Sequence, residues 1–352
     1  MFRHSIARAL RPALPLVLSV ALAGCGGSSS GVSGPGGPPA PSDSGAALLG
    51  SLAAVSVFPA TNWWNTDVSA APVDAHSADF VTWLESGHGA APFGMHPDFG
   101  PPPYGIPYAV VSGTQALERV TFTLYGSQSD SGAAGRPAGY PIPGAARTTA
   151  NWVEGGAAGG GASGDRHLLV VDRDHHLLFE TWATRWNAGA ARWEAGSGAV
   201  WDLDANGRRT DGWTSADAAG LAILPGLVRF DETSGPITHA FRVTVRATNG
   251  YVWPASHAAG STAGALPMGA RLRLKAGKSL AGYTPEVQRI FQAMKTYGLI
   301  VADNGSDLYV SGTMDARWDN DVLNPAFASL LSSDFEVVQL GWQPPAPPAR
   351  AR

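Results

Sequence analysis

Disulfide bonds are excluded by composition. The chain has one cysteine, Cys25, at the end of a short apolar run, so the rest of it has no disulfide, thiol nucleophile or thiolate metal site. Charge is also sparse: charged residues make up 15% of the chain and the net charge is −4 at pH 7. With an isoelectric point near 6.1, no basic footprint for nucleic acid is present. The apolar run Leu14–Ala23 falls short of the roughly 20 residues a membrane-spanning helix needs. There is no phosphate loop, no dinucleotide fingerprint, no G-x-S-x-G and no H-E-x-x-H. What the chain does have is glycine, proline and tryptophan, 44, 27 and 12 of its 352 residues.

The beginning of the chain reads as an export signal spanning 1–24. Arg3, Arg8 and Arg11 precede the apolar run, and Leu22-Ala23-Gly24-Cys25 closes it. That ending resembles the lipobox of bacterial lipoproteins. The resemblance implies cleavage before Cys25, diacylglycerol on its sulfur, acylation of the new N-terminus and attachment to a membrane through those chains. With Gly26 rather than Asp after the Cys, the expected destination is the outer membrane. Residues 25–54 read as a Gly/Ser/Pro tether and 343–352 as a Pro-rich tail, neither able to bury enough apolar surface to order itself.

Between them, 55–342 reads as one domain. Short β-branched or aromatic runs (YAVVSG, HLLVVDR, HLLFETWAT, HAFRVTVRA, LIVADN, DLYVSG, FEVVQL) alternate with Gly, Asp, Asn and Pro clusters. This spacing predicts an all-β, jelly-roll-like β-sandwich with one or two packed α-helices. HLLVVDRDHHLLFETWA and LIVADNGSDLYVSG each read as a hairpin. Thr284–Tyr297 reads as a helix, with Pro285 at its first position, Gly298 at its stop, and Val287, Ile290, Phe291 and Met294 on one face. Ser77–Leu84 is a shorter candidate. A monomer is expected.

GIPYAVV (105–111), GDRHLLVVDRD (164–174), TSADAAGLAILPGLVRFDE (214–232), YVWPASH (251–257) and YGLIVADNGS (297–306) resemble a group of secreted bacterial proteins of uncharacterised function. The resemblance spans nearly the whole globular region. It implies a common fold and an extracytoplasmic role, and carries over no catalytic residue.

Candidate chemistry centres on Glu180, Glu154, Asp165 and His167. Glu154 and Asp165 flank a Gly run, and strand alternation puts Glu180 on one face with Leu178 and Trp182. A carboxylate beside Trp on a strand suits the acid or nucleophile of a glycosidase, with a second carboxylate or His167 as its partner. The competing reading is a solvated face with Glu180 paired to Arg185. His239 and His257 could join His167 in an acid/base or metal cluster, or be structural histidines. Asp217, in a small-residue apolar segment, needs a partner such as Arg229 if buried. It either orients a histidine or clamps a loop. Asp202, Asp204 and Asn206 match the first half of a calcium loop, but Trp213 stands where the bidentate Glu belongs, and a plain turn explains them equally. Trp182, Trp186 and Trp213, with Trp63, Trp64 and Trp193, lie beside loops, as sugar-stacking rings would. The function expected is a lipid-anchored envelope protein that cleaves or lyses polysaccharide. Its rivals are a non-catalytic glycan-binding module and a structural lipoprotein.

Overall fold

The computed structural model describes residues 45–53, 55–132 and 135–345. The export signal, Cys25, most of the tether and most of the tail lie outside them. Strands form three mixed sheets, joined by a few helices.

The five-stranded sheet is ordered Ala47–Leu48, Tyr108–Val111, Leu168–Asp172, Leu177–Trp182, Ser197–Asp202. Its first strand lies within the stretch expected to be tether: Ala47 pairs with Val110 and Leu48 with Ala109. The 168–182 hairpin forms as predicted, with Leu168 opposite Thr181 and Asp172 opposite Leu177. Asp172 shapes its turn, one carboxylate oxygen accepting the amides of Asp174 and His175 at 3.1 Å each.

Both faces of this sheet are covered, which is why its strands read as continuous apolar runs. Tyr108, Val110, Leu169, Val171, Leu178 and Trp201 face the large core. Ala109, Val111, Leu168, Val170, Phe179 and Val200 face a smaller core. That smaller core is closed by Val120, Trp193 and Ala195 of the three-stranded sheet (Val120–Phe122, Arg192–Ala195, Arg185–Asn187). Each fully buried Val, Leu or Phe among them contributes about 1.5–3 kcal/mol.

The six-stranded sheet runs Phe335–Val337, Arg271–Leu274, Leu299–Asn304, Phe241–Val245, Tyr309–Ser311, His96–Asp98. The second predicted hairpin does not form here. Phe241–Val245 lies between its two arms, parallel to Leu299–Asn304 and antiparallel to Tyr309–Ser311. The loop steps over that strand: Gly305 N–H donates to Val245 O at 2.9 Å and Leu308 N–H to Thr244 O at 3.0 Å. Asn304-Gly305 is thus part of a crossing loop rather than a two-residue turn.

Pro285–Thr296 is the predicted helix, with Val287, Ile290, Phe291 and Met294 all buried and Gly298 at φ +76° ending it. Ser77–Ser86 is also helical. A further helix, Asn320–Ala328, is capped by Asp319, whose side chain accepts the Asp321 amide at 2.9 Å.

Candidate functional site

Glu180 is not at a surface. It lies on the predicted face of its strand, but that face is the large core, and the residue is 0% exposed. Its carboxylate accepts the indole N–H of Trp201 at 3.0 Å, the amide of Ile223 at 2.9 and 3.0 Å, and the amide of Leu224 at 2.9 Å. Burial pushes its pKa up to about 7, against those donors. A segment as apolar as AGLAILPGLV still carries backbone N–H groups, which need acceptors once inside. Glu180 supplies them, and in this position its carboxylate faces the core rather than an open surface where the expected acid or nucleophile would meet substrate. Arg185, the alternative partner, pairs with Glu194 instead, at 2.7 Å.

The other members of that expected set do come together. His167 is buried, and its Nδ1 sits 2.7 Å from Glu154 Oε2, which also accepts the His167 amide at 3.1 Å. The opposite ring nitrogen is 3.2 Å from the Ala216 carbonyl, which can only accept. Acceptors on both sides hold the ring as an imidazolium. Burial alone would lower its pKa, but the Glu154 charge and hydrogen bond lift it to about 9. For Glu154 burial works upward, and the His167 charge and its hydrogen bonds outweigh it, leaving the carboxyl below its ordinary value. Its side chain is 24% exposed. Asp165, exposed, accepts the Trp182 indole N–H at 3.1 Å.

Three residues of this neighbourhood were missed from the sequence: Asp98, Arg242 and Asp303. Asp98 pairs with Ser311 across parallel strands, so the two side chains share a face. Ser311 Oγ in turn accepts Arg242 Nη1 at 2.7 Å. Asp98 is open to solvent, yet protein crowds it enough that desolvation raises its pKa. Glu154 and Asp165 add to the rise, while Arg242 and His167 oppose it.

Beneath it, the buried Arg242 joins Asp217 (Nη2 to Oδ1, 2.8 Å) and Asp303 (2.9 Å). The partner of Asp217 is therefore Arg242, not Arg229. Arg242 stands at a buried position of the strand FRVTV. The second oxygen of Asp217 is buried without a hydrogen-bond partner. Burial, with Asp303 adding, pushes Asp217 up to about 6 against the pull of Arg242. A lone Arg among β-branched strand residues was the available signal, since a charge there requires buried partners.

The remaining candidates fall elsewhere. His239 lines a separate cavity of about 590 Å³. It bonds Glu232 Oε2 at 3.0 Å, while Arg229 holds the other Glu232 oxygen. His257 donates from Nδ1 to the Ala218 carbonyl at 2.8 Å. The three histidines thus form no cluster, and among the described residues no group of three or more His, Cys, Asp or Glu could hold a metal. Asp202, Asp204 and Asn206 make a turn after their strand. Asp202 accepts the Asp204 amide at 2.9 Å, Asp204 meets His176 at 3.0 Å, and Asn206 donates to Thr61 at 2.9 Å.

Trp182 borders the acidic patch of Asp98, Glu154 and Asp165 through its bond to Asp165, and lies 6.4 Å from Tyr125. Trp186 packs under Arg147 at 4.2 Å and Trp213 beside Arg209 at 5.6 Å, both half-buried. Trp63, Trp64 and Trp193 are core residues. Their place beside loops reflects loops that are themselves packed.

Comparisons of the chain with protein families, curated proteins and solved structures give no match.

Proposed function

We propose that this chain is an exported glycan hydrolase, held in the cell envelope by lipid on Cys25, with Asp98 as its acid and Glu154 as its base. One observation carries the reading. Two carboxylates of one patch are displaced in opposite directions, Asp98 upward and Glu154 downward, and Asp98 responds to the Glu154 charge. Such a split is what an acid and a base working at one pH require.

In the reaction Asp98 gives its proton to the glycosidic oxygen as the bond from that oxygen to the anomeric carbon breaks. Water adds its oxygen to the anomeric carbon, and Glu154 takes the released proton on Oε1, the oxygen that His167 leaves free. The products are an alcohol and a reducing-end sugar, and exchange with solvent restores both carboxyls. His167 keeps Glu154 ionised and oriented. Trp182, turned by Asp165, offers a ring for an apolar sugar face. The covered sheets supply a rigid, sandwich-like support, although the parallel pairs in each of them depart from a simple jelly roll. The lipobox-like LAGC and the resemblance to secreted bacterial proteins support the envelope location.

The test is incubation of the full chain with xylan, β-1,3-glucan, alginate, chitosan and peptidoglycan, scoring new reducing ends. Asp98→Asn and Glu154→Gln should each lower the rate at least about 100-fold, the low end for lost acid–base help. Equal release from both variants would refute the site. Retention on one polymer without release would make the patch a binding module.

A further inference from the structure

Two exposed aromatic rings connect to the acidic patch by separate routes. Among the described residues three large aromatic side chains are exposed, Tyr104, Tyr125 and Tyr251, and the first two connect to the patch through neighbouring residues. Tyr104, 62% exposed, tops the loop that follows Asp98. This loop touches the Glu154 loop: Gly156, at φ +82°, faces Pro103 so closely that a Cβ would come within 3.0 Å of the proline Cβ. Tyr125 lies 6.4 Å from Trp182, whose indole reaches Asp165. From Tyr104 the contacts thus run through Pro103 and the Glu154 loop to His167, then by Asp165 and Trp182 to Tyr125.

Neither ring is on a loose segment. The Tyr104 amide donates to Pro101 O at 3.1 Å, and the Ile106 amide ties the loop to Gly312 O at 3.0 Å. Three consecutive prolines, Pro101 to Pro103, fix φ along it. The Tyr125 amide donates to Gly196 O at 2.9 Å. Rings held this way bind a flat ligand face with little ordering cost.

We infer that the substrate is a glycan polymer cut at internal bonds, with sugar units stacked on Tyr104 on one side of the cleavage point and on Tyr125 and Trp182 on the other. This rests on the hydrolase reading above. An enzyme that trims chain ends needs a wall where the chain stops. Here exposed rings reach the carboxylates by two separate routes, Tyr104 through the Pro103 contact with the Glu154 loop and Tyr125 through Trp182.

Viscosity and reducing ends are followed together for the full chain on β-1,3-glucan, xylan and alginate solutions. Internal cutting predicts that viscosity halves before about one bond in a hundred is released as a reducing end. Tyr104→Ala and Tyr125→Ala should each raise KM for the polymer about tenfold, near the upper value of one aromatic contact, and Tyr104→Phe should restore it. Reducing ends released in step with viscosity would overturn internal cutting while leaving the hydrolase intact. Wild-type KM in both alanine variants would overturn the two-platform geometry. No release from any polymer would remove the hydrolase reading and this one together.

Discussion

Replacing Glu180 by leucine separates a buried clamp from a catalytic acid. The carboxylate is the acceptor for three donors inside the large core, Trp201 Nε1 and the amides of Ile223 and Leu224. Leucine removes every acceptor while keeping most of the volume. An orphaned buried donor costs about 1–3 kcal/mol. Three of them, less the relief of no longer burying a charge, give a loss of about 3–5 kcal/mol. Against a typical 5–15 kcal/mol of total stability, the variant stays folded at low temperature but unfolds in much less urea. Glu180→Gln keeps one acceptor oxygen and turns an N–H₂ toward the Trp201 indole, so it should lose about half as much. The assay is equilibrium urea unfolding followed by tryptophan fluorescence, together with polysaccharide release per folded molecule. The expected pattern is a graded fall in midpoint, leucine beyond glutamine, with release per folded molecule kept. Wild-type midpoints in both variants with release abolished would refute the clamp and return Glu180 to the active site.

Hydrolysis should follow a bell in pH, rising as Glu154 ionises and falling as Asp98 loses its proton, with the falling limb displaced upward from an ordinary carboxylate because Asp98 is raised. A pH–rate profile of kcat/KM checks it, and a single limb would contradict the pairing. His167 has its folded pKa raised to about 9 from 6.5, so its stabilisation is complete below pH 6.5 and is lost as pH climbs through 9. That amounts to about 3 kcal/mol. Urea midpoints at pH 6 and pH 10 should differ in the wild type and differ much less in His167→Asn. Arg242→Met leaves Asp217 and Asp303 without their cation and should cost about 3–5 kcal/mol. Adding Asp217→Leu should recover part of it, and additive losses in this double-mutant cycle would deny the coupling. Radiolabelled palmitate should enter the chain in a Gram-negative host and be lost in Cys25→Ser.

Local order was legible in the sequence. The Pro285–Thr296 helix followed from its proline start, its apolar face and its glycine stop, and the 168–182 hairpin from two strand runs around Asp172. The second hairpin was not legible, because pairing across Phe241–Val245 is a choice made by the whole sheet and leaves no mark between Asn304 and Tyr309. The site was half visible. Glu154, Asp165 and His167 are close in sequence and were drawn together. Asp98 lies far from them along the chain, in an unremarkable HPDFG, and long-range contacts bring it near, the parallel bridge to Ser311 and the packing of Pro103 on the Glu154 loop. Glu180 was misjudged because alternation names the face of a strand without saying whether that face is wet. The same limit applies to the tryptophans, since a loop in the sequence can be an interior segment in the fold.

The interposed strand has a consequence for how the protein comes into being. Arg242 belongs to the middle of the six-stranded sheet, Asp98 to its edge, and the strand between them, Tyr309–Ser311, arrives late in the chain. A ribosome that has made residues 1–300 has emitted every carboxylate of the patch except Asp303, and the strand that unites Asp98 with Arg242 is still missing. The sheet's other edge, Phe335–Val337, comes later still. Assembly of the sheet therefore waits on the last strands, and a chain interrupted before Ser311 should leave the His96–Asp98 strand unpaired and open to proteases.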